Sequence, residues 1–155
     1  MAYKEGVAEL LDKISKLESR DDRIAALRAQ HNIALETIID LCFNPHIKWA
    51  LPPGEPPFKL QPKESDNQAV LFANLRKFGI FIESGPYPTM KQFNREIQFV
   101  NFLESLDPDD AKLVVSVKDK IMPYKGITKK MFNRAWPALA ATWEIEGEAE
   151  VETDE

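Results

Sequence analysis

Between positions 112 and 134 the chain carries seven bases against one acid. Lys112, Lys118, Lys120, Lys125, Lys129, Lys130 and Arg134 face only Asp119, a local charge of +6. The bases gather around Tyr124-Lys125-Gly126-Ile127-Thr128, which reads as a turn with Gly126 free to take a positive φ. A turn that opens a helix presents free amides and partial positive charge, so this one is an anion site by composition. A phosphate backbone is the ligand that suits it. The candidate DNA-binding set is therefore Lys118, Lys120, Lys125, Gly126, Thr128, Lys129, Lys130 and Arg134. Lys48 and Trp49 are additional candidates, because a base beside an indole in an irregular segment can hold a phosphate and stack a nucleobase. The plain alternative is a solvated basic face on an ordinary helical hairpin.

Two helices must position these residues. Asp107 is an N-cap, Pro108 suits the first helical position, and Asp109 and Asp110 favour the positive end of the dipole. Ala111, Val114, Val115, Ile121 and Met122, with the stem of Lys118, give this helix an inner face, and Pro123 ends it. Thr128 caps the next helix, whose inner face is Met131, Phe132, Ala135 and Trp136.

The rest of the chain reads as further helices. Residues 3–17 are amphipathic, with Val7, Leu10, Leu11, Ile14 and Leu17 on one side. Ser19 and Asp22 open a second helix to about Gln30, Asn32 breaks it, and a third runs over 33–43 until Asn44-Pro45. Residues 45–62 hold six of the eleven prolines, which excludes regular helix, yet Ile47, Trp49, Leu51, Phe58 and Leu60 predict a segment packed on the helices, with a short edge strand. A helix over 66–78 loosens at Gly79. Thr89 caps another over 90–105, with Phe93, Ile97, Val100 and Leu103 inward and Phe99 and Phe102 adding to them. The sum is an all-α, single multi-helix domain over 1–143, followed by an acidic tail at 144–155. The tail's seven acids have few apolar anchors, so it is expected to be disordered. They also explain the net charge of −5: without them, 20 bases face 18 acids.

The closing stretch KDKIMPYKGITKKMFNRAWPAL resembles the end of the N-terminal DNA-binding domain of ATP-dependent DNA ligases, especially those of T-even-type bacteriophages. The resemblance rests on Lys118 and Lys120 before the turn, Gly126 in it, Thr128 after it, and the Trp136-Pro137-Ala138-Leu139 close. The family usually has Gly where Ala138 stands. The opening, from Leu10 to Pro53, is also similar to that domain. The resemblance implies a helical fold that grips duplex DNA, nicked DNA included, through its phosphates and minor groove with little sequence preference. It further implies a phage protein acting in the cytoplasm of an infected host.

Catalytic motifs are missing. The ligase nucleophile motif Lys-x-Asp-Gly does not occur, nor a Walker loop, a Gly-x-Gly-x-x-Gly or a Cys/His metal set, so no enzyme activity, cofactor or metal is expected. His31 and His46 lack an evident catalytic partner, and the lone Cys42 reads as a small buried hydrophobe in a reducing compartment. No apolar run is long enough for a membrane, and the charged N-terminus is not a signal peptide. Three functions stay open: a stand-alone DNA-binding module, a protein-interaction module of a phage docking on a host or phage enzyme, and a subunit lending DNA grip to a DNA-processing enzyme, a separately encoded nucleotidyltransferase.

Overall fold

The fold is built on a helix whose apolar residues from Ala34 to Cys42 are all buried. In α3, Ile33–Phe43, the residues Ala34, Leu35, Ile38 and Ile39 are fully buried. Asn32 caps it by accepting from the Leu35 amide at 2.8 Å, so the residue that breaks the previous helix also starts this one. The structure, a computed structural model, describes residues 6–60, 62 and 68–144. The expected start of the first helix at 3–5, that of the fourth at 66–67, and the tail from 145 lie outside the described residues.

Before α3 come α1, Val7–Ser15, and α2, Arg20–Ala29. Ser19 caps α2 as its sequence position predicts, accepting from Asp22 N at 3.0 Å. The inner face of α1 is Val7, Leu10, Leu11 and Ile14, while Leu17 lies past the helix end and is exposed. After the proline segment come α4, Gln68–Ala73, a 3-10 turn at Leu75–Lys77, and α5, Phe78–Phe81. Then follow α6, Gln92–Ser105; α7, Pro108–Lys118; α8, Lys129–Ala135; and α9, Pro137–Ala141. Helices α1 and α3 pack on α7, and α2 packs on α8. The protein is a single all-α domain. Among the described residues the expected edge strand is reduced to one antiparallel bridge, Trp49 to Ile82, with Ala50 N donating to Phe81 O at 2.7 Å and Glu83 N to Lys48 O at 2.8 Å.

Two aromatic clusters fill the interior. Phe78, Phe81, Phe99 and Phe102 meet at centroid distances of 5.1–5.7 Å, with Trp49 at their edge. Phe132 joins Phe43, Trp136 and Trp143 on the other side of the domain. Such edge-to-face and tilted pairs add to the burial of the rings themselves.

Several elements depart from expectation, each for a local reason. Gly79 does not loosen a helix but lies within α5; the break comes at Asn74, whose side-chain amide donates to Val70 O at 2.8 Å. Gly85 packs so closely on α5 that a Cβ there would sit 1.9 Å from the Gly79 carbonyl oxygen. Thr89 is not a cap: α6 begins after Lys91 with no side-chain cap. The buried face of α6 is Arg95, Phe99, Phe102 and Leu103. Phe93 and Ile97, expected inside, are 73% and 43% exposed. Arg95 is buried because its guanidinium holds the preceding loop, donating to Ile80 O at 2.9 Å, Tyr87 O at 2.8 Å and Gln92 Oε1 at 3.1 Å.

Helix α7 starts as predicted, with Asp107 accepting from Asp109 N at 3.0 Å and Pro108 at the first position. Asp110 does something else. Its carboxylate is 1% exposed and accepts from Ala8 N at 2.9 Å, capping the start of α1 from 102 residues away, while Oδ2 has no partner. Burial pushes this carboxyl up to about 7; the Ala8 amide opposes the rise, and Asp107, Asp109 and Glu9 add to it. A carboxyl whose pKa is higher folded than unfolded binds its proton more tightly in the native state. Its contribution is thus present at acid pH and is lost as pH rises from about 4 towards 7. Over that window the parent should lose of order 3–4 kcal/mol relative to Asp110→Asn, which can keep the bond to Ala8 without a charge. Thermal melts of the two proteins at pH 4.5, 6 and 7.5 check this. Parallel pH profiles would refute it.

Candidate nucleic-acid interface

The basic turn has the backbone its sequence demands. Gly126 has φ +90°, a conformation that side-chain-bearing residues rarely adopt, and Thr128 occupies the N-cap position of α8. The Thr128 side chain makes no capping bond, so its role there is positional. Lys125, Lys129 and Lys130 are exposed around the turn, and Arg134 is exposed in the last turn of α8.

Lys118 and Lys120 leave the candidate set, because the fold uses both ammonium groups. Helix α7 ends at Lys118, five residues before Pro123, where the sequence predicts the stop. It closes in a Schellman arrangement: Lys120 N donates to Val117 O at 2.9 Å and Ile121 N to Ser116 O at 2.9 Å. Lys120 stands where glycine is usual, at φ 61°, and Ile121 swings out to 57% exposure. The Lys120 ammonium then donates to Leu41 O at 2.8 Å and Asn44 O at 2.9 Å, capping the end of α3. Burial holds its pKa below the ordinary lysine value; Cys42 and Asp40 oppose that shift and Lys129 adds to it. Lys118 is buried, with its side chain 2% exposed. Its ammonium donates to Pro52 O at 2.8 Å and to Asp119 Oδ1 at 2.6 Å. Asp119 in turn accepts from Gly54 N at 3.1 Å, so the one acid of the basic stretch fixes the proline segment.

Trp49 is also corrected. It is half-buried against Phe78 and Phe99 and donates its indole hydrogen to Leu41 O at 3.4 Å, which makes it a packing residue rather than a stacking platform. Lys48 is exposed beside it, in a shallow cleft of about 590 Å³ shared with Lys118, Asp119 and Lys120 and not with the turn. Cys42 lines the same cleft as a buried thiol pushed up to about 11, so it is inert as a nucleophile.

The structure adds bases that local charge counting missed. Because α2 packs on α8, the Arg23 guanidinium lies against Gly126, where its Cζ would be 3.5 Å from an added Cβ. Arg23 also donates to Leu17 O at 2.8 Å. Arg28 donates to the Arg134 carbonyl and lines a pocket of about 370 Å³ with His31, Glu36 and Trp136. The acids of α2, Asp21 and Asp22, fall in its first turn. Tyr124 marks another border of the positive face: its hydroxyl is held above the usual range by burial and by Asp109, Asp12 and Asp110. The histidines are structural in their contacts. His31 Nε2 meets Glu36 Oε2 at 3.1 Å, and His46 Nε2 meets Glu144 O at 2.7 Å, tying the last described residue to the domain.

A family model described as a family of unknown function, DUF6433, matches residues 10–123. The chain belongs to that family. No curated protein and no solved structure matches it. The span shared with DUF6433 takes in the proline segment and α6 and stops before Lys125.

Two substitutions separate structure from surface. Lys118→Met removes the donor from the Pro52 carbonyl and the cation from beside Asp119, and should cost about 1–3 kcal/mol in urea unfolding. Gly126→Val forces a β-branched residue to positive φ and should cost at least ~1–2 kcal/mol, although the space beside it is open enough for a Cβ. Unchanged midpoints would contradict these placements.

Proposed function

We propose that this protein is a non-enzymatic module that grips the phosphate backbone of duplex DNA with little regard to sequence. The observation that carries the reading is the exposed group Lys125, Lys129 and Lys130 around a positive-φ glycine, with Arg134 exposed further along α8 and Arg23 packed against that glycine from α2. Counterion release makes such a face bind polyanions strongly at low salt. Bases that hold phosphates position a protein on the duplex without reading its sequence. The resemblance of this stretch to the DNA-binding domain of phage-type DNA ligases supports the same ligand and suggests a setting in phage DNA metabolism. The absence of the Lys-x-Asp-Gly nucleophile motif supports a binding role rather than nucleotidyl transfer.

A second reading, a protein-interaction module acting on a host or phage enzyme, is favoured by one specific observation: the exposed Phe93 and Ile97 on α6. No helix among the described residues is long and apolar enough to cross a membrane, so neither reading invokes insertion.

The test is an anisotropy titration with intact, nicked and single-stranded DNA at two salt concentrations. The Lys125→Glu/Lys129→Glu/Lys130→Glu variant should bind every duplex sequence more weakly, and its salt slope should flatten by about 0.9 per lost phosphate contact. Its melting temperature should stay near the parent's, because all three residues are exposed. Equal binding by variant and parent would remove this face from consideration. Incubation with labelled ATP should leave no adenylated protein.

A further inference from the structure

Helix α6 has two apolar stripes, and only one of them is used by the core. Phe99, Phe102 and Leu103 face inward. Phe93, Ile97 and Val100 follow one another at four- and three-residue spacing on another side, the first two exposed and the third half-buried. A helix apolar on more than one side is one that expects further cover.

The outer stripe forms one wall of a groove of about 520 Å³. The opposite wall is Pro52, Pro53, Pro56 and Pro57. That wall is held in place before anything binds. Pro52 O accepts from buried Lys118, Gly54 N donates to Asp119, Gln92 Nε2 donates to Ala50 O at 2.9 Å, and Lys59 N donates to Glu104 Oε2 at 2.8 Å. A wall fixed along its length takes a ligand without a large ordering cost. Proline carries no amide hydrogen, so the wall offers few donors and recognises mainly by shape and apolar contact. An occupant that covered only the groove floor would leave Phe93 in water, since 73% of that residue is exposed. An elongated occupant lying along α6 fits better than a compact small molecule.

Charge selects the kind of occupant. Among the charged lining residues, Lys118 is buried and bonded to Pro52 and Asp119, which leaves Glu55 and Glu96. Neither carboxylate makes a hydrogen bond or ion pair among the described residues. We propose that this groove docks a basic amphipathic helix of a partner protein, its apolar stripe laid between Phe93/Ile97 and the proline wall and its lysines or arginines set against Glu55 and Glu96. This is helix-in-groove recognition, with apolar anchors supplying affinity and rim charges supplying orientation. The groove shares no lining residue with the Lys125–Arg134 face.

The probe is a fluorescein-labelled Leu/Lys peptide of about 18 residues with leucines at helical spacing, titrated into the full chain and read by anisotropy. Its controls are a scrambled isomer of equal charge and a Leu/Glu counterpart. The amphipathic peptide should bind at least ~10-fold more tightly than the scrambled one. Phe93→Ser/Ile97→Ser removes the apolar anchors without changing charge and should weaken binding at least ~10-fold, while Glu55→Gln/Glu96→Gln should weaken it and flatten its salt dependence. All four residues are solvent-facing enough for circular dichroism to confirm an intact fold, and the serine variant should bind DNA as the parent does. Equal affinity for the scrambled isomer, tighter binding of the Leu/Glu peptide, or parent-like binding by the serine variant would overturn the proposal. So would sedimentation showing a parent dimer that the serine pair converts to monomer, since the groove would then be closed by a second copy of the chain.

Discussion

Three consecutive residues at the end of α7 tie that helix to the proline segment and to the end of α3. Lys118 reaches Pro52, Asp119 reaches Gly54, and Lys120 reaches the last carbonyls of α3. Each bond has a charged partner, and those of Lys118 and Lys120 are partly buried, which strengthens them over neutral surface contacts. The backbone is bent to allow this: a lysine takes the left-handed position that usually belongs to glycine, so that its side chain can turn back to α3. Without this knot α7 would still pack on α1 and α3, but the proline segment would lose its bonds at Pro52 and Gly54 and keep only those on either side of them.

The same knot explains why charge along the sequence overstates the positive surface. Lys118, Asp119 and Lys120 look like part of the basic stretch and are instead consumed by internal carbonyls and by one another. Arg23, distant in sequence, is brought to the turn by the packing of α2 on α8. A basic face is a property of the folded surface, and both corrections come from tertiary contacts.

Much of the fold was legible, and for identifiable reasons. The bounds of α3, the cap at Ser19 and the start of α7 at Asp107 are written in local chemistry, where a side chain bonds an amide two or three residues away. The orientation of α6 was not legible, because two apolar stripes share one helix and periodicity cannot say which faces the core. What decides it is Arg95, a charged residue drawn inside by carbonyls of a loop that sequence alone does not place. For the candidate site, the turn and its glycine were readable, Lys118 and Lys120 were misassigned, and the groove was invisible because its apolar residues were counted as core.

The proline wall also governs how this protein will register in solution. Pro52, Pro53, Pro56 and Pro57 have no exchangeable amide, so that side of the groove gives no signal in hydrogen–deuterium exchange and no peak in an amide-detected NMR spectrum. Of that side, Leu51, Gly54 and Glu55 could report from the backbone, and the Gly54 amide is already bonded to Asp119. A survey by backbone amides would therefore describe half a groove, the α6 half. Carbon-detected spectra or labels on the proline rings would be needed to watch the other half respond.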